Sequence, residues 1–291
     1  MNRFFLATCL AAFTAAPFAN VQAAPAENRR NSAVFVPAKP LSYADVADMV
    51  MAARLVVRVR VKSASAISGK AAVNLIPGRK RYLMTGDVMT LIRGEGGIAP
   101  RITWLVDQAP DAHGKFPKLA KAELILLANR VAGHPAEVQL VSPDAQLFMT
   151  PDAGSRAHAL VAEAASPAAP PVITGISDAF HAAGPIEGEG TTQIFLTTRE
   201  ERPVSIGVVR QPQQQAAWSL FLSETVGDAT PPPRRETLLW YRLACFLPDH
   251  LPDSATASLS AADKAKVSED YDLVRNQLGA CMRTVKPPLP R

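Results

Sequence analysis

Between Met49 and Gly86 the chain has no acidic residue, while Arg54, Arg58, Arg60, Lys62, Lys70, Arg79, Lys80 and Arg81 all fall inside that stretch. Cations gathered without counter-ions attract; they do not by themselves break bonds. Such a cluster draws anionic polymers: nucleic acid, a lipopolysaccharide core, phospholipid headgroups. If segments Leu55–Lys62 and Arg81–Ile92 pair as strands, Arg58, Arg60 and Lys62 form a row on one face near Arg79, Lys80 and Arg81. These six are the candidate binding residues. Nucleic-acid readers interleave aromatic rings for stacking, and only Tyr82 is available here, so nucleic acid is an unfavoured partner. The competing reading is a solvated strand face whose charges discourage edge-to-edge association.

Bond-making chemistry has less to stand on. The sequence contains no G-x-S-x-G elbow, S-x-x-K, H-E-x-x-H, phosphate-binding loop or dinucleotide fingerprint. The five histidines, His113, His134, His158, His181 and His250, stand singly, none three or four residues from another. Asp111 and His113 share a loop in which a carboxylate could orient an imidazole, but no nucleophile accompanies them. No catalytic residue, metal site or cofactor is therefore expected. A hydrolase with dispersed catalytic residues is the alternative to a binding protein, since paired carboxylates can lie at any separation in sequence.

The elements that must position the basic residues begin after a leader. Asn2 and Arg3 precede an apolar run from Phe4 to Phe18, and Val21-Gln22-Ala23 supplies small residues at a cleavage site. This pattern predicts a signal peptide over residues 1–23 and a periplasmic or secreted protein. Of the three cysteines, Cys9 would leave with the leader. Cys245 and Cys281 are then expected to form a disulfide in an oxidising compartment. No later stretch has transmembrane length, so no anchor is expected in the mature chain. The net charge of +5 is mildly basic and names no partner.

Residues 24–40 read as an extended arm. Ser42 and Asp45 form a capping-box pattern ahead of a short amphipathic helix. Strand patterns follow at Leu55–Lys62, Tyr82–Ile92, Arg101–Val106, Glu123–Val131 and Glu137–Val141, separated by turn signals. Five strands and few helices predict a small antiparallel barrel over residues 41–150, of OB type, with an open sandwich as the alternative. Residues 151–171 read as an Ala/Pro-rich linker with at most a helical turn or two. Residues 172–286 are expected to form an α+β domain: four strands from Val172 to Leu222, a buried helix over Glu236–Leu247, and a last helix capped by Ser260 and stopped by Gly279. Residues 287–291 are a tail. The fold class expected is thus β-rich α+β, a small OB-like barrel followed by an antiparallel sheet with two C-terminal helices.

Two phrases, Thr191-Thr192-Gln193-Ile194-Phe195-Leu196 and Trp240 to Pro248 (WYRLACFLP), together with Asp270-Tyr271 and Leu278 to Thr284 (LGACMRT), carry a likeness. They resemble a group of uncharacterised exported proteins of Gram-negative bacteria. The resemblance covers most of the mature chain and implies export, with no activity attached. The OB-type likeness is separate, and a fold does not fix a function. The sequence therefore points to an exported envelope protein, a non-catalytic binding module for an anionic envelope component or a protein partner.

Overall fold

The computed structural model describes residues 40–222 and 229–288, which belong to one compact unit. The expected signal peptide, the expected arm up to residue 39 and the last three residues of the expected tail lie outside the described residues.

Helix α1, Tyr43–Ala52, starts as the capping pattern requires. The Ser42 hydroxyl accepts from the Asp45 amide at 3.1 Å, and the Asp45 carboxylate accepts from the Ser42 amide at 2.8 Å. Strands β1 (Leu55–Ile67), β2 (Lys80–Arg93), β3 (Arg101–Gln108), β4 (Glu123–Val131) and β5 (His134–Leu140) follow. Their order is β1-β2-β3-β5-β4, and β4 pairs back onto β1, so the five close into a barrel. All neighbours are antiparallel except β3 and β5, which run parallel and share a single pair, Thr103↔Glu137.

Alternation explains the filling. Val57, Val59 and Val61 point inward with Met84, Trp104, Leu124 and Val138, while the intervening Arg58, Arg60 and Lys62 point out. Gly86 makes room for the central indole: a Cβ there would meet the Trp104 ring at 3.0 Å and the Arg60 carbonyl at 3.2 Å. A sixth, short strand, β6 (Gln146–Phe148), joins the far edge of β4 and was not anticipated from the sequence.

The stretch expected to open a linker is instead a helix. Residues Pro151–Ala165 form α2, capped by the Thr150 hydroxyl, which accepts from the Ala153 amide at 3.1 Å. Alanine is the strongest helix former, and Ala157 and Leu160 are completely buried. Composition alone weighed the flanking prolines too heavily. The same buried cluster takes in Val46, Met49 and Val50 of α1, Val56 of β1, and Ile125 and Leu127 of β4. It continues into the second half of the chain through Ile194 and Ile206, so one core crosses the boundary expected at 151–171.

The second sheet is a simple antiparallel meander of β7 (Ile173–Ala183), β8 (Gly190–Thr198), β9 (Val204–Arg210), β10 (Ala217–Phe221) and β11 (Ala229–Thr230). Helix α3 (Leu238–Ala244) is shorter than the expected Glu236–Leu247. The Thr237 hydroxyl caps it by accepting from the Trp240 amide at 3.2 Å, which fixes its start. Helix α4 (Ala261–Leu278) runs from the Ser260 cap to Gly279, whose φ of 73° ends it. Its buried stripe is Val267, Tyr271, Val274 and Leu278.

The disulfide Cys245–Cys281 joins the end of α3 to the residues just past α4, its Cα atoms 4.9 Å apart. Beyond it the chain crosses α1. Arg283 Nε donates to Asp48 at 2.6 Å, and the Thr284 and Val285 amides donate to Asp45 at 2.8 and 3.1 Å. Burial pushes the Asp45 carboxyl up, but the hydrogen bonds from Thr284, Ser42 and Val285 outweigh it and hold the group below its usual value. The first and last described helices are thereby tied together.

Candidate binding face of the barrel

Strands β1 and β2 do pair, but the register divides the six candidate residues into two groups. Arg60 stands opposite Asp87, whereas Arg81 stands opposite Ile67. The six residue steps from Arg81 to Asp87 along β2 correspond to about 20 Å of strand. Within each group the cations meet carboxylates. Arg58 and Arg60 both donate to Glu123, the latter at 2.6 Å, and Lys62 lies 3.8 Å from Asp87. Arg79 donates to Asp144 at 2.8 Å and to the Asp107 carbonyl at 3.0 Å. Arg81 grips Asp107 with two parallel bonds of 2.7 and 2.8 Å. Lys80 alone of the six has no carboxylate partner, and its ammonium sits 4.2 Å above the Phe116 ring. Arg58, and then Arg60, hold the Glu123 carboxyl below its usual range; Arg101, assisted by Lys62, does the same to Asp87. The partners come from β2 just past the acid-free stretch (Asp87), from the end of β3, from β4 and from the loop before β6. The basic row exists, but it is largely neutralised.

A different wall of the barrel has the features of a binding surface. On the outside of β2, β3 and β5 stand Arg81, Leu83, Thr103, Leu105, Asp107 and Gln139. Leu83 and Leu105 face each other across the β2–β3 ladder and are 45% and 51% exposed. Between β3 and β5 runs a groove of about 730 Å³ lined by these residues and by Leu140, Val141 and Pro143. Its origin is topological: beyond the Thr103↔Glu137 rung, β3 and β5 have no further ladder pairs. One end of the wall is closed by the Arg81–Asp107 pair. The other carries a second ion pair, Arg101 to Asp87 at 2.8 Å. Trp104 also borders the groove, but it is 2% exposed and belongs to the barrel interior.

No protein-family model and no curated protein sequence matches the chain.

The charge pattern of the sequence does not mark this wall. Its signal is apolar residues in the outward phase of strands whose inward phase is already apolar: Leu83 between Tyr82 and Met84, and Leu105 between Trp104 and Val106. Such a strand has two faces to satisfy.

The remaining polar clusters hold structure together. The Asp111 carboxylate accepts from the His113 and Lys115 amides, both at 2.8 Å, so it shapes its own loop and does not orient an imidazole. The most catalytic-looking grouping is His181, Thr192 and Asp270. Thr192 is completely buried, and its hydroxyl donates to Asp270, so it must accept from His181 Nδ1 at 2.9 Å. Arg210 Nε donates to the same Asp270 at 2.6 Å. A hydroxyl without access to solvent cannot attack a substrate; this network fastens α4 to the sheet. Among the described residues, no three His, Cys, Asp or Glu side chains converge as metal ligands. No helix among them is long and apolar enough to cross a membrane.

Proposed function

We propose that the chain is an extracytoplasmic, non-catalytic binding module whose first half is an OB-type barrel, and that the open wall of this barrel takes an extended polypeptide segment of a protein partner. The OB assignment is supported by the closed order β1-β2-β3-β5-β4 with its parallel β3–β5 contact. The disulfide and the leader-like first residues favour the periplasm or the exterior.

The observation that carries the ligand class is the exposed pair Leu83 and Leu105 beside a groove whose strand edges lack ladder partners. An extended peptide offers main-chain donors and acceptors to such edges and alternate side chains to the leucines. An anionic polymer would need free cations, and the candidate arginines are already bound to carboxylates. A stacked glycan or nucleic acid would need an exposed aromatic platform, which this groove does not present.

The test is selection of displayed random peptides against the oxidised protein, followed by amide chemical-shift mapping of the winners. The reading expects shifts concentrated on β2, β3 and β5 around Leu83, Leu105 and Gln139. Shifts confined to β1 around Arg58 to Lys62, or no enrichment over a Leu83→Asp variant, would refute it.

A further inference from the structure

A second cavity, of about 430 Å³, lies past Pro143 from the groove, where the start of α1, the start of α2 and the end of β3 meet the C-terminal segment. Its volume is that of a small-molecule site. Leu41, Val46, Val106 and Leu147 give it apolar walls, and two buried amides, Gln108 and Gln146, reach it from the barrel.

The orientation of those amides follows from one donor. The Trp104 indole N–H can only donate, and it lies 2.7 Å from Gln146 Oε1. That turns Gln146 Nε2 toward Gln108 Oε1 at 3.2 Å, and in turn Gln108 Nε2 toward the Ala109 carbonyl at 2.9 Å. Both amide oxygens are thus engaged, while among the described residues each NH₂ group makes one bond and has a further N–H to give. The amide pair therefore offers donors to whatever enters. Charge offers no counterweight: Arg79 is paired with Asp144 and Arg156 with Glu236, the latter at 3.5 Å.

We propose that this cavity binds a small, uncharged acyl compound, an amide or ester, whose apolar chain packs on the four aliphatic side chains and whose carbonyl oxygen accepts from Gln108 and Gln146. The proposal is independent of the peptide groove: Val106 and Pro143 border both, but the amides that would hold this ligand, Gln108 and Gln146, line only the cavity. The relay also links the site to the barrel interior. A ligand oxygen that draws on the Gln146 amide polarises the bond from Trp104, which the ligand itself does not reach.

Titration of the full-length oxidised protein with octanamide, octanoate and octylamine, followed by the indole N–H resonance of Trp104, separates the possibilities. Octanamide should bind saturably and shift that resonance. Octylamine, which brings no acceptor, should bind at least about tenfold more weakly, as expected for a lost hydrogen bond. Gln108→Glu keeps the oxygen that receives Gln146 but removes the N–H group, and should weaken octanamide by a similar factor. Ala153→Phe fills the cavity from the first turn of α2 and should abolish binding while the circular dichroism is unchanged. Equal affinity for all three compounds, an unmoved Trp104 resonance at saturation, or undiminished binding to folded Ala153→Phe would each overturn the proposal.

Discussion

The barrel has two outer walls that resemble each other in sequence and differ in their surroundings. On β1 and β4, the outward Val56, Ile125 and Leu127 are almost completely buried against α1, α2 and their neighbours. On β2 and β3, the outward Leu83 and Leu105 are about half exposed. Both sets are aliphatic residues in the outward phase of a strand. The difference lies in chain order. Helix α1 runs directly into β1, and α2 follows β6, the short strand on the edge of β4. The helices at the two ends of the barrel segment therefore fold onto the strands that close it. Strands β2, β3 and β5 are joined to their neighbours by loops and turns, which leaves their outer wall open. The covered wall holds the molecule together, and the open one is the wall proposed to take a partner.

That contrast can be broken at several strengths. The largest effect belongs to the covered side. Replacing Cys245 and Cys281 by serine removes a closure across 36 residues and should lower unfolding free energy by about 4 kcal/mol in a denaturant titration. Peptide affinity per folded molecule should be unchanged. Next, Leu127→Ala on the covered wall should cost about 3 kcal/mol as a buried truncation, whereas Leu105→Ala on the open wall should cost under about 1 kcal/mol. Equal losses at the two sites would erase the distinction. Gly86→Val presses on the Trp104 ring inside the barrel and should cost about 2 kcal/mol, loosening both walls together.

The smallest effect is that of acid. The Asp45, Glu123 and Asp87 carboxyls are held below their ordinary values. A lowered folded value means the unfolded chain takes up protons first. The stability these groups contribute is present at neutral pH and is lost as pH falls through and below the ordinary carboxyl range. The denaturation midpoint should drop over that interval, and Asp45→Asn should flatten part of the drop.

Much of the chain was legible in local pattern. Val57, Val59 and Val61 alternating with cations gave β1 and its inward face, Ser42 with Asp45 gave the start of α1, and Ser260 with Gly279 bounded α4 to the residue. What was not legible depends on residues distant in sequence. The acid-free stretch looked like an uncompensated patch because Glu123, Asp107 and Asp144 lie later in the chain and arrive only when the barrel closes. The groove arises from a single parallel rung between β3 and β5, a contact that no local pattern encodes. Helix α2 was obscured for a different reason: an alanine-rich segment between prolines has the same composition as a linker, and burial of Ala157 and Leu160 decides the matter.

The most direct test of the open wall as the binding face compares two charge-altering variants against one selected peptide by isothermal titration calorimetry. Leu83→Asp with Leu105→Asp should weaken binding at least about tenfold while the melting temperature stays near that of the parent. Arg58→Glu, Arg60→Glu and Lys62→Glu together should leave affinity essentially unchanged. Full affinity in the leucine variant with binding lost in the charge-reversed one would contradict the account and return the site to the basic row of β1.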